Sequence, residues 1–244
     1  MVSRCVNDRV LLVQVALTTE SWCGVDHAVM NTSVNAYSGL AGFYIVEDPE
    51  VEAALGLPQG AYDIALAISA KQYTPSGSLT WVGNETDSVY GDVIEVNGQP
   101  WPFLSVEPRT YRFRILNIAL SRIFILGILD NFDNTNVPFQ IVASDSGLMS
   151  MPVTTTDLVL AMAERWEVIV DFTNYPNRNL TLTNQQKVFE VPDYASTDRV
   201  MQFNVGAAAS SDTNNGPLPT SLVTLDLPQA GTQTHRTFKF DKRY

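Results

Sequence analysis

Histidine and cysteine are scarce in this chain, with two of each in 244 residues. That count excludes a metal centre built from several imidazoles of this chain alone, and it excludes a disulfide framework. Cys5 and Cys23 can make at most one bridge between them, and that pairing is left open. Neither His27 nor His235 accompanies a Gly-x-Ser-x-Gly segment, so no hydrolase triad is expected, and no glycine-rich phosphate loop occurs. No apolar run reaches the roughly 18 residues that a membrane span requires. Basic residues are also few, 15 against 26 acidic ones, for a formal charge of -11. A surface of that sign repels phosphate backbones and anionic lipid, so neither nucleic acid nor membrane is an expected partner.

What is present is strand signal. Apolar residues make up 45% of the chain, ample for a buried core. Tyr62, Ile64, Leu66 and Ile68 alternate along one face of a half-buried strand. Tyr111, Phe113 and Ile115 do the same, with Arg112 and Arg114 on the opposite side. Val93 to Val96 runs into Asn97-Gly98, a pair that tolerates positive φ and favours a tight hairpin. Further strands are expected at Phe124–Leu129, Phe139–Ala143, Asp157–Leu160, Glu167–Phe172, Asn179–Thr183 and Val200–Val205. Strands this frequent predict an all-β Greek-key sandwich or barrel. One short helix is expected at Pro49–Leu55, where proline suits the first turn, Glu50 and Glu52 suit its positive end, and Gly56 can end it. From Gly206 to Gln233 the composition turns to Ala, Ser, Asn and Pro and reads as a linker, and His235 to Phe240 reads as a lone strand.

The compartment is open from sequence. Arg4, Arg9 and Val10–Leu17 have the outline of a secretory leader, but Asp8 and Gln14 interrupt it and no small-residue cleavage site follows. N-x-[ST] triplets at Asn31, Asn84 and Asn179 tilt the balance toward secretion.

Several ordered segments resemble one family. They are Asp26-His27-Ala28, Asn35 to Pro49, Leu57-Pro58 to Leu66, Val93 to Pro102, Val106-Glu107-Pro108-Arg109, Tyr111 to Asn117, and Ala163-Glu164-Arg165-Trp166 to Phe172. Together, over roughly Asp26 to Val205, they resemble the multicopper oxidases, specifically the bilirubin-oxidase and spore-coat-laccase branch. The resemblance implies cupredoxin-like β domains: residues 1–57 as a divergent N-terminus and the tail of a first domain, 58–205 as the copper-free middle domain, and 206–244 as a linker with the first strand of a third. It implies oxidation of phenolic or bilirubin-like aromatic substrates with O₂ reduced to water, in a setting such as pigment or aromatic natural-product formation, with copper as cofactor.

The implied ligand set is thin. His27 matches the second histidine of the first domain's later His-x-His motif, while Val25 stands at its partner position. His27 is therefore the one candidate metal residue, a vestigial ligand of the three-copper cluster. The earlier His-x-His motif is absent, and the third-domain ligands would lie beyond Tyr244. The chain is accordingly expected to be inactive alone, with no catalytic residue of its own. The alternative is a non-catalytic cupredoxin-like module that partners an intact oxidase. Glu107-Pro108-Arg109 and Glu164-Arg165 are read as loop-fixing pairs, and Trp81, Trp101 and Trp166 as packing residues rather than a substrate surface.

Overall fold

The computed structural model describes residues 20–25 (as backbone), 31–80, 88–185, 194–225 and 237–239. The chain begins with β1 (Glu20–Val25), α1 (Thr32–Tyr37), β2 (Ala41–Val46) and α2 (Pro49–Ala54). After a 3-10 turn at Gly60–Tyr62 come β3 (Asp63–Lys71), β4 (Val93–Val96), β5 (Gln99–Pro100), β6 (Phe103–Val106) and β7 (Thr110–Asn117). Then follow β8 (Phe124–Asp130), β9 (Thr135–Asn136), β10 (Phe139–Ser144), β11 (Gly147–Thr155) and β12 (Asp157–Leu160). The last are β13 (Arg165–Asp171), β14 (Asn179–Asn184) and β15 (Arg199–Val205).

Two sheets face each other. One is ordered β11-β10-β13-β7-β3-β4-β5, the other β12-β8-β14-β15-β6 with β9 paired to β8. Most pairs are antiparallel; β3 runs parallel to β7, and β15 to β6. Inward alternation supplies the core: Leu66 and Ile68, Phe113 and Ile115, Val168 and Val170 from the first sheet meet Leu126, Ile128, Leu180, Leu182 and Phe203 from the second. With 45% strand and 8% helix, the all-β expectation holds, and the architecture is a cupredoxin-type sandwich.

Local chemistry explains the junctions. Asn97 and Gly98 carry φ of 51° and 77°, the two positive values that a tight hairpin turn needs. The Asn97 side chain also accepts from the Ala67 N–H and donates to the Ala65 carbonyl, tying the turn to β3. Helix α2 starts at Pro49 as expected, and Asp48 in addition caps it by accepting from the Val51 N–H. Helix α1 and strands β1, β2, β5, β6, β9 and β11 were not anticipated from the sequence. In β11, Pro152 and two methionines blur the alternation, and the strand sits at a sheet edge where proline is tolerated. Of the strand expected from His235 to Phe240, residues 237–239 are described and lie outside any strand; the rest lies outside the described residues.

The structure departs from the sequence reading most clearly on the first sheet's outer face. A half-buried sheet would leave that face in water, yet every residue of β7 is buried. A second apolar cluster covers it: Leu57 from the segment after α2 and Leu222 from beyond β15 pack on Val142, Ala143, Leu148 and Ile169, with Leu55, Leu218 and Val223 alongside. Both flanks of the sandwich therefore share one patch of sheet. The region read as a linker is, over its first part, a strap bound to that face.

Candidate functional site

Beneath α2 lies a buried ion network, built by the polar half of the β7 alternation. Arg112 and Arg114 project outward from β7, and Glu167 projects outward from the neighbouring β13. Glu167 Oε2 accepts from Arg112 Nε at 2.9 Å and from Nη2 at 2.5 Å, while its Oε1 accepts from Arg114 Nη1 at 3.0 Å. Asp63, opening β3, takes a fork from Arg114 through Nε at 2.9 Å and Nη2 at 2.7 Å. Glu52 of α2 completes the set by accepting from Arg112 Nη1 at 2.9 Å. Burial works against the Arg114 charge, but the Asp63 bond and the charges of Glu167, Asp63 and Glu52 outweigh it and hold that guanidinium above its ordinary range. Three carboxylates thus face two guanidiniums, all buried except Asp63, which keeps a small exposure. Such an arrangement fixes α2 against the sheet; it presents no free nucleophile or base to a substrate.

A second polar cluster lies where α1 meets the end of β3. Lys71 donates to the Tyr37 carbonyl, with its ammonium 4.9 Å from the centre of the Tyr37 ring. Burial pushes the Lys71 amine down, opposed by the Glu95 charge. Glu95, on β4, accepts from Ser69 Oγ at 3.2 Å and from the Tyr73 hydroxyl at 2.5 Å.

The Glu107-Pro108-Arg109 motif holds the strap. Glu107 accepts from the Ser210 N–H at 2.8 Å and from its hydroxyl at 2.8 Å. Arg109 donates to the Ser211 carbonyl at 2.6 Å and to the Thr213 carbonyl, and its guanidinium lies 3.5 Å from the centre of the Tyr62 ring. The Thr110 N–H donates to Asn215 at 2.7 Å, and the Leu222 N–H to the Ser150 carbonyl at 2.9 Å. Between strap and sheet runs a groove of about 520 Å³, walled by Asn215 and Leu218 on one side and by Thr110, Gln140, Ile169 and Asp171 on the other. These contacts predict that 206–222 resists limited proteolysis, where an undocked linker would be cut quickly.

That protection should depend on acid. The Ser210 N–H and hydroxyl, and then the Arg109 charge, hold the Glu107 carboxyl below its usual range. A depressed carboxylate contributes to docking above its ordinary pKa, and the contribution disappears as pH falls through the lowered value. Limited proteolysis across an acid series should therefore release 206–222 below the ordinary glutamate range of about 4.3. In Glu107→Gln the strap should be cut faster near neutrality, with this acid step removed. An unchanged acid step in that variant would remove Glu107 from the account.

The other residues flagged from sequence fall as follows. His27, His235, Cys5 and Trp81 lie outside the described residues, and with Cys5 goes the bridge to Cys23, which sits in β1. Glu164 accepts from the Ala161 N–H at 2.7 Å and Arg165 donates to the carbonyls of Ala163 and Asp145, so this pair ties loops, as read. Trp166 packs against the core, whereas Trp101 is exposed, its indole N–H bonded to the Ser196 carbonyl. The two polar clusters and the strap contacts escaped the sequence reading because their partners are far apart in the chain.

Comparison with known proteins decides the lineage. The chain is 43% identical over 224 residues to a bilirubin oxidase of Albifimbria verrucaria, covering 89% of this chain and 39% of that protein. It is 36% identical over 192 residues to a laccase of Bacillus subtilis (strain 168), covering 74% of this chain and 36% of that one. The McoA multicopper oxidase of Aquifex aeolicus superimposes with a TM-score of 0.77 at 28% identity, over 87% of this chain and 46% of that structure. The chain belongs to the multicopper oxidases. No family model matches it. This multicopper oxidase chain spans about two fifths of the length of the curated relatives it matches.

Family membership implies copper, so the donors must be tested against it. Copper sites are built from imidazole and thiolate in fixed geometry. Among the described residues there is no histidine, and no three His, Cys, Asp or Glu side chains converge as a metal-holding group. The described part of this multicopper oxidase does not fit a copper centre, and no step of oxidation can be routed through it.

Proposed function

We propose that the chain serves copper-dependent oxidation of phenolic or bilirubin-like substrates, with O₂ as electron acceptor, as a copper-free β-sandwich frame rather than as a self-contained catalyst. The shortage of donors carries this reading: two histidines in the whole chain, against a match of 89% of its length to a bilirubin oxidase. In this reading residues 58–205 are the middle domain, 1–57 the tail of a preceding one, and 206–244 the connection onward. His27, with Val25 at the partner position, supplies one imidazole at most, and the remaining copper ligands come from outside these 244 residues. The frame's work is to hold its flanks. The ion network under α2 and the strap contacts are the means. Secretion fits this reading, since Asn31 and Asn179 of the N-x-[ST] triplets are both exposed.

The test is direct. The purified chain is exposed to Cu²⁺, freed of loose metal with a mild chelator, and assayed for bound copper and for O₂ uptake with a phenol and with bilirubin. Well under one copper per chain and no uptake are expected. Several tightly held cupric ions with turnover would overturn the proposal. The same donor shortage favours a second reading, a module that docks on an intact oxidase. A stable complex with a separately purified full-length relative in sedimentation would favour it over the frame.

A further inference from the structure

The Tyr73–Glu95 pair of the second polar cluster has no part in holding the flanks of the sandwich. Tyr73 lies in the hairpin after β3, bridged to Leu79, and is 38% exposed. Glu95 is 5% exposed, and its second oxygen is already held by Ser69. The phenol therefore offers its ring to solvent and its proton to a carboxylate that water reaches poorly. The Tyr73 hydroxyl donates directly to a Glu95 oxygen, so a proton can pass between them with no intervening group.

We propose that Tyr73 and Glu95 form a proton-coupled oxidation site, at which a one-electron oxidant of the phenoxyl class is reduced and a neutral tyrosyl radical is left on Tyr73. One electron leaves the Tyr73 ring for the oxidant, which becomes a phenolate and takes a proton from water. The Tyr73 O–H bond breaks, and a new O–H bond forms on Glu95. A reductant such as ascorbate then returns the electron, and the Glu95 proton goes back to the phenol. Three features favour this path. Burial together with the Glu95 bond and charge pushes the Tyr73 phenol up to about 12, so its proton is present at neutral pH and must be handed over as the electron leaves. Ser69 holds the other Glu95 oxygen, which fixes the carboxylate facing Tyr73. Lys71, close by, is committed to the Tyr37 carbonyl and ring. Tyr44, 60% exposed on β2, offers the contrast of a phenol in open solvent.

The source of phenoxyl species in the cell rests on the function proposed above, but the site itself does not. The test therefore supplies its own oxidant and uses copper-free full chain. Azide radicals generated by pulse radiolysis oxidise the wild type, Tyr73→Phe, Glu95→Gln and Tyr44→Phe, and the tyrosyl absorption is followed. Tyr73→Phe should lose most of the long-lived signal, and Glu95→Gln should form it severalfold more slowly with a new dependence on pH. Tyr44→Phe should match the wild type. Equal signals from Tyr73→Phe and Tyr44→Phe, or wild-type kinetics in Glu95→Gln, would overturn the proposal. Because Glu95→Gln alters a buried site, the wild-type chain is also oxidised in the presence of a nitroso spin trap and the adduct mapped by mass spectrometry. An adduct at Tyr73 is expected; adducts elsewhere with Tyr73 unlabelled would equally overturn it.

Discussion

Replacing Glu167 with alanine should lower stability by about 3–5 kcal/mol, the cost of breaking a buried ion network by removing one partner. Glu167 is 1% exposed and accepts three bonds from Arg112 and Arg114. Without it, two guanidiniums remain out of water with Glu52 and Asp63, and neither has a fork partner on the β13 side. Urea unfolding should show a lower midpoint with an unchanged slope, since the surface exposed on unfolding is the same. The lesion should also be visible locally. Glu52 reaches Arg112 from α2, so protease access to 47–57 should rise before the sandwich melts. Replacing Arg112, Arg114 and Glu167 together by apolar residues of similar volume should cost far less, because no uncompensated charge is left behind. A fall below about 1 kcal/mol in the single variant would mean that water already screens the network.

The second large effect belongs to the opposite side of the same strand. Phe113 is 1% exposed and stands at the centre of an aromatic group that joins the two sheets. Its ring lies 5.2 Å from Phe203 on β15, 6.3 Å from Phe172 in an edge-on arrangement, and 6.0 Å from Tyr111 in a parallel one. Phe113→Ala should cost about 3–5 kcal/mol, from lost burial and the cavity left between the sheets. Here the midpoint should fall without early cleavage at α2, because the contacts removed face inward. The two substitutions thus separate the core from the clasp. Early release of α2 in Phe113→Ala would show that the two faces of β7 are not independent.

The inner half of this fold was legible in the residues, and the outer half was not. Alternation at Tyr111, Phe113 and Ile115 marked the core face because periodicity reports which side chains avoid water. The same pattern cast Arg112 and Arg114 as a solvent face. They are buried because Glu167 and Glu52 stand 55 and 60 residues from Arg112, and no local pattern carries that information. Pro49, Glu50 and Glu52 announced α2 correctly, since a helix start is a matter of three or four neighbouring residues. The strap was missed for the opposite reason. Ser210, Ser211 and Asn215 look like linker residues, and they become specific only when Glu107, Arg109 and Thr110 meet them. For the candidate site, the Tyr73–Glu95 pair was invisible at a separation of 22 residues.

The cluster shared by Leu57 and Leu222 has a consequence for synthesis on the ribosome. Chains emerge from the N-terminal end at about 5–20 residues per second. The patch formed by Val142, Leu148 and Ile169 must then wait for Leu222 to leave the exit tunnel before its roof is complete. Throughout that interval a nascent sandwich carries an adhesive apolar spot. A chaperone that shields nascent apolar surface would have its window there, and it would close when the strap arrives.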